Sequence, residues 1–194
     1  GHRPASGATQ HWPILHKRLT VPCHYNKQAG IMSMQPDEIK EWYSNEIWGK
    51  QATDDDALFE VMSLQVFQAG LTWSMILGRR DAFRNAFQGW KIDAVANMDP
   101  PAVESIIQDA SIIRNRMKIE ACIHNAEVIK DLQQKHGSFC GWFYGSTGDG
   151  SLQGDELGGL QKQLKATFKF MGPEIARMWL FASGRLARPE HNHD

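Results

Sequence analysis

The chemistry in this sequence sits in short basic and aromatic stretches. Lys169-Phe170-Met171-Gly172-Pro173 is the most suggestive of them. A tight turn ending in glycine, followed by proline at the first position of a helix, directs backbone N–H groups outward at a helix N-terminus, an arrangement that suits a phosphate. Lys162 and Lys165 stand just before this turn and Lys169 within it. An ordinary helical hairpin with a solvated lysine face has the same composition, and on these residues alone it is the favoured reading. Arg114, Arg116 and Lys118 open a long helical pattern, where cations oppose the helix dipole. Phosphate contact explains that placement, and so does a salt-bridged surface using Asp109 and Glu120. Arg79, Arg80 and Arg84 form another cluster. His191 and His193, with Glu190 and Asp194, look like a metal tail, but no fixed partner accompanies them and no metal is expected. GxSxG, HExxH and a glycine-rich phosphate loop are all absent.

The 194 residues are 42% hydrophobic and 22% charged, which excludes a disordered, collagen-like or low-complexity chain. No run of about 18 apolar residues occurs, so no membrane-spanning helix is expected. Lys+Arg 21 against Asp+Glu 22 gives a formal net charge of -1, which excludes a uniformly basic nucleic-acid coat but not a local basic face. Cys23, Cys122 and Cys140 are too few and too scattered for a disulfide framework or a cysteine zinc cluster. A reducing, intracellular compartment is expected. Seven tryptophans stand against three tyrosines, and core filling accounts for most of those rings.

The elements that must position these residues read as helix after helix. Pro36-Asp37-Glu38 marks a helix start. Asp54-Asp55-Asp56 opens a second helix, with Leu58, Val61, Met62 and Leu64 at helical spacing, that ends near Gly70. Thr72 caps a third, expected to run to Gly89. Short helices follow at Asp93–Met98 and Pro100–Gln108, then a long one from about Arg114 to His136. Gly145–Gly159 reads as a loop. Leu160–Thr167 and Pro173–Ser183 close the domain. No segment alternates as a strand, so the expected fold is all-α. Gly1–Ser33 is expected to be an extension with processed, tag-derived or poorly ordered sequence, Met34 to Arg188 the domain, and Pro189–Asp194 a flexible tail.

Two longer blocks identify a relationship. One runs Leu58-Phe59-Glu60-Val61-Met62-Ser63-Leu64-Gln65-Val66-Phe67-Gln68-Ala69-Gly70-Leu71-Thr72-Trp73, continuing to Arg79-Arg80. The other is Ile112-Ile113-Arg114-Asn115-Arg116-Met117-Lys118-Ile119-Glu120-Ala121, followed by Asn125-Ala126. With Tyr43…Trp48-Gly49 and Phe168–Pro173, they strongly resemble the DNA-3-methyladenine glycosylase I family over roughly Pro36 to Gly184, in order and spacing.

The resemblance implies a helix-hairpin-helix glycosylase of base-excision repair, a helical bundle of two lobes with a cleft between them. Such an enzyme flips an alkylated purine out of duplex DNA and hydrolyses its N-glycosidic bond without cleaving the strand. By family position, Tyr43 and Trp73 are stacking walls and Gln65 is the base-recognition residue. Gly70, Leu71 and Thr72 belong to the segment entering the duplex, with Leu71 as the wedge. Lys165, Lys169 and Gly172 become the phosphate-binding hairpin, with Arg114 nearby. Glu46 is a candidate general base, and Lys40 stands where the family has a second pocket tyrosine. The family places glutamate at Gln65, so this chain should select less strongly for a cationic base. Its zinc ligands are replaced: Ser44 and Pro189 stand for histidines, His193 for a cysteine, and the N-terminal cysteine has no counterpart. Trp12, Trp42 or Trp179 would then pin the domain ends by packing. The expectation is a cytoplasmic monomer acting on double-stranded DNA with alkylated bases, with no cofactor and no membrane. Its rival is a catalytically weak member that binds DNA through the hairpin.

Overall fold

Most of the longer helices begin where a short polar side chain or a proline suits the N-terminus. The structure is a computed structural model that describes residues 35–145 and 152–187. Helix α1 (Pro36–Glu46) starts at its proline, with Glu38 accepting from the Gln35 N–H at 2.9 Å. Asp54 caps α2 (Asp55–Gln68) by accepting from the Ala57 N–H at 2.8 Å. Thr72 caps α3 (Trp73–Leu77), and α4 (Arg80–Ala86) follows. A single 3-10 turn at Gln88–Trp90 leads into α5 (Ile92–Ala96). Asp99 caps α6 (Pro100–Gln108) and Asn115 caps α7 (Arg116–His136). The remaining helices are α8 (Phe139–Gly145), α9 (Gly154–Thr167) and α10 (Pro173–Ala182). Among the described residues there is no strand, and no helix is long and apolar enough to cross a membrane.

Three expectations are corrected. The single helix from Thr72 to Gly89 is broken at Gly78-Arg79 and again at the 3-10 turn, where Gln88, Gly89 and Trp90 all take positive φ. Burial drives that turn: Trp90 is fully buried and stacks on Phe87 at 4.4 Å. Gly154–Gly159 is the start of α9, not loop; residues 146–151 lie outside those described. Leu157, Leu160 and Leu164 pack on the core at helical spacing, which outweighs the roughly 1 kcal/mol that each interior glycine costs. Helix α8 is not expected from the sequence, although Phe139 and Phe143 bury its inner face. The extension at 1–33, with Trp12, and the tail at 189–194 also fall outside the described residues.

Helix α2 is the axis of the domain. Every residue from Leu58 to Phe67 is buried, so no amphipathic stripe is visible. Around it α3, α7, α8 and α10 pack directly. The aromatic core falls into two ring clusters. Phe59, Phe67, Phe83, Phe87 and Trp90 form one, and Phe139, Phe143, Phe168 and Trp179 the other.

The C-terminal end of α10 is tied to the loop after α1 by backbone. The Gly49 N–H donates to the Ala182 carbonyl at 2.9 Å. Gly184 adopts φ +68 and comes so close that a Cβ there would meet the Lys50 carbonyl carbon at 2.8 Å, which only glycine tolerates. The Tyr144 hydroxyl bridges the same junction, accepting from the Ala52 N–H at 3.0 Å and donating to the Ser183 carbonyl at 2.7 Å.

Asp55 fastens α8 onto α2. Its carboxylate accepts from Gln133 Nε2 at 2.8 Å, from the Phe139 N–H at 2.9 Å and from the Cys140 N–H at 2.8 Å. Burial pushes the carboxyl up, but those donors together outweigh it and hold it below the ordinary value of 3.8. A depressed carboxylate stabilises the fold above its unfolded value and loses that contribution as pH falls through the folded one. Asp55→Ala should therefore cost about 1–3 kcal/mol at neutral pH. Thermal melts at descending pH check this: the gap between wild type and variant should close below pH 3.8.

Candidate active site

Helices α1, α2, α3 and α10 enclose a cavity of about 280 Å³ lined by Ser44, Trp48, Gln65, Gln68, Trp73 and Met178. That is near the lower end of small-molecule pockets, about 300–1,000 Å³, a size for one base and not a whole nucleotide pair. Gln65 and Gln68 share one face of α2 at i, i+3 spacing. Thr72 sets the start of α3 so that Trp73, its first residue, faces the same space. No lining side chain is ionisable. Gln65 is 3% exposed, and its amide makes no hydrogen bond among the described residues. Its polar end opens into the cavity, so its donor and acceptor are free to pair with a bound molecule.

Tyr43, expected as a wall of the base pocket, does not line this cavity but packs behind Trp73 and lines a separate one. Its ring meets Trp73 edge-on, with centroids 5.4 Å apart at 82°. The ring is 1% exposed, and its hydroxyl has no partner among the described residues. Burial pushes the phenol well above its ordinary value, Glu60 adds to the rise and Arg80 opposes it, so the hydroxyl stays protonated. Glu60, itself buried, is held by Arg80 at 2.9 Å and by a short contact to Arg84, and Arg80 also lies over the Trp42 ring at 5.0 Å. Two of the three arginines at 79, 80 and 84 are therefore spent on the carboxylate beside Tyr43, and Arg79 bonds the Met75 carbonyl at 3.1 Å.

Glu46 and Lys40 are not brought to the Gln65 cavity. Glu46 lines a separate cavity of about 230 Å³ that also borders Tyr43, and pairs with Lys50 at 4.0 Å. Lys40 pairs with Asp37 at 3.8 Å on α1. Family position suggests Lys40 and nearness suggests Glu46, but neither lines the cavity that Gln65 faces.

The segment after α2 forms a tight turn. Gly70 takes φ +78, Leu71 N–H donates to the Gln68 carbonyl at 2.8 Å, and Gln68 Nε2 donates to the Leu71 carbonyl at 3.0 Å. Leu71 is half-buried and Thr72 exposed. Lys118, 5% exposed, donates to the Phe67 and Ala69 carbonyls at 2.8 and 2.6 Å. Burial pushes its ammonium down, while the two carbonyls at the end of α2 hold it in place.

The connector between α9 and α10 is also anchored from α7. Asn125, fully buried, donates from Nδ2 to the Lys169 carbonyl at 3.0 Å and accepts from the Lys169 N–H at 2.8 Å. The left-handed residue here is Phe170, with φ +55, while Gly172 caps α10 in an extended conformation. Lys165, Lys169 and Arg114 are exposed and make no ion pair among the described residues. Arg116 is different: Glu104 grips it at 2.8 and 3.1 Å and Glu120 at 3.3 Å, so it belongs to a salt-bridged surface.

Residues 33–191 match the family model for methyladenine glycosylase. The chain belongs to the methyladenine glycosylase family. Its similar relatives include DNA-3-methyladenine glycosylase 1 of Escherichia coli K12, 33% identical over 171 residues that cover 81% of this chain and 90% of that protein. Among solved structures, 3-methyladenine DNA glycosylase I from Staphylococcus aureus superposes with a TM-score of 0.70 at 27% identity, covering 81% of this chain and 95% of that one. A tyrosine-to-phenylalanine variant of 3-methyladenine DNA glycosylase I in complex with 3-methyladenine gives 0.71, also at 27% identity, covering 81% and 92%.

Against that family background, the zinc expected of it does not fit the described residues. Ser44 offers a hydroxyl instead of an imidazole and faces the Gln65 cavity. Among the described residues no three His, Cys, Asp or Glu side chains converge, and Pro189 and His193 lie outside them. Trp48 and Met178 are pocket residues that the sequence does not single out as such. Met178 escapes notice because α10 reaches the cavity only in the folded chain; Trp48 stands inside a family block, five residues after Tyr43.

Proposed function

We propose that this chain is a monofunctional DNA glycosylase that flips 3-methyladenine, or a closely related alkylated purine, out of double-stranded DNA and hydrolyses its N-glycosidic bond. It acts inside the cell, as a monomer. The observation that carries the reading is a base-sized cavity bearing Trp73, Trp48 and an unpartnered, buried Gln65 amide, with no ionisable side chain in its lining. Methylation at N3 places a positive charge on adenine. The base then leaves C1′ with the bonding pair as a neutral molecule and needs no acid. Water adds to C1′ and its proton passes to solvent, leaving an abasic sugar. A glutamine amide can accept from the adenine N6 amino group and donate to N7, a pairing guanine cannot offer. Stacking on Trp73 supplies affinity for an electron-poor ring. Leu71 on its tight turn fills the vacated space in the duplex, and Lys165, Lys169, Arg114 and the Gly172 helix start hold phosphate.

Incubation with methylated duplex DNA, followed by chromatography of released bases, tests this. Release of 3-methyladenine is expected; no methylpurine at high enzyme concentration would sink the activity. The uncharged lining also favours a second reading, a catalytically weak DNA binder. Gln65→Glu separates the two: activity appearing from nothing supports the binder, whereas a shift among lesions supports a working enzyme.

A further inference from the structure

The proposed wedge turn and the proposed phosphate hairpin are both clamped by the same face of α7. Lys118 holds the end of α2 through the Phe67 and Ala69 carbonyls, immediately before Gly70 and Leu71. Asn125 holds both backbone groups of Lys169. The two residues are i and i+7, so they share a face and stand roughly 10 Å apart along the helix at about 1.5 Å per residue. Phe170 of the hairpin also reaches back to Lys118, its ring centroid 5.8 Å from Nζ. Lys118 lines neither the Gln65 cavity nor the one that Tyr43 borders, and its donors point at carbonyls, so its place is structural support and not a covalent role.

We propose that α7 is the gauge that fixes the distance between the element entering the duplex and the element gripping its backbone. Lys118 and Asn125 are its two positioning residues. The inference rests on the glycosylase reading for its consequence, but its geometry is independent of it. A flipped base reacts only if the wedge and the phosphate grip act in register, and a misplacement near 1 Å costs about 10²-fold in rate. Loss of each clamp should therefore show in a different constant. Lys118→Met frees the wedge turn while the hairpin stays anchored. Asn125→Ala frees the hairpin while the wedge turn stays.

The test is single-turnover release of 3-methyladenine at saturating enzyme, alongside affinity for an undamaged duplex, with Lys118→Arg as the conservative control. Lys118→Met should slow the saturated rate about tenfold or more and leave duplex affinity within about threefold. Asn125→Ala should weaken duplex affinity about tenfold and leave the saturated rate within about threefold. Lys118→Arg should recover most of the rate. Rate and affinity falling together in both variants, or Lys118→Arg behaving no better than Lys118→Met, would overturn the assignment. Amide hydrogen exchange reads the same clamps without turnover. Lys118→Met should deprotect the segment around Ala69–Leu71 alone, and Asn125→Ala the segment around Lys169–Met171 alone. Equal deprotection of both segments in both variants defeats the gauge whatever the activity, while a wild type that releases no base but shows the selective pattern defeats only the glycosylase reading.

Discussion

Gln65→Ala should lower kcat/KM for 3-methyladenine release by roughly 5- to 150-fold, the cost of about 1–3 kcal/mol attached to a bidentate amide–adenine pair. The fold should not suffer with it. The amide faces the cavity and no protein partner, so its removal leaves nothing unpaired and Tm should stay close to that of the wild type. That combination, activity lost while stability is kept, separates a recognition residue from a core residue. Selectivity should move as well. Alanine should narrow the preference for 3-methyladenine over 3-methylguanine, because donor and acceptor vanish together. Gln65→Glu keeps the acceptors and adds a negative charge, so it should raise the ratio of cationic to neutral lesions released by about tenfold. Competition assays on a mixed-lesion duplex measure both ratios.

Trp73→Ala should weaken binding of the free base by roughly 5- to 150-fold, the range of about 1–3 kcal/mol found for a base stacked on an aromatic ring. Two losses contribute. The ring that lines the cavity disappears, and Tyr43 loses the edge-on neighbour 5.4 Å away that orients it. Trp73→Phe retains a smaller face and should recover part of the affinity. A titration followed by calorimetry reads the difference. Trp73 is only half-buried, so its removal should cost far less stability than removal of Trp179, which is fully enclosed against Phe143 at 4.4 Å.

The sequence is most legible where a cap and an apolar period agree. Asp54 before Leu58 and Gly172 before Pro173 each mark a true helix start, while the long helix expected from about Arg114 begins at Arg116, after its Asn115 cap. It is least legible where tertiary burial overrides local preference. Trp90 takes a left-handed conformation that its sequence neighbourhood disfavours, and Gly158 and Gly159 lie inside a helix because the leucines around them pack. The site divides along the same line. Gln65 and Trp73 belong to one long, specific family block and line one cavity, with Tyr43 edge-on against the Trp73 ring. Glu46 rests on nearness and Lys40 on a family position that this chain fills with a different residue, and both lie away from the Gln65 cavity. Asn125 and Lys118 sit in plain view inside a family block. Nothing in a buried asparagine or lysine says which backbone it will clamp until the partner segments, Lys169 and Phe67–Ala69, are in place.

A crystal structure of the chain with free 3-methyladenine tests the central claim most directly. The base is expected in the Gln65 cavity, lying against Trp73, with the Gln65 amide within hydrogen-bonding distance of N6 and N7. An empty cavity at saturating base, or a base seated away from Gln65 and Trp73, would contradict it.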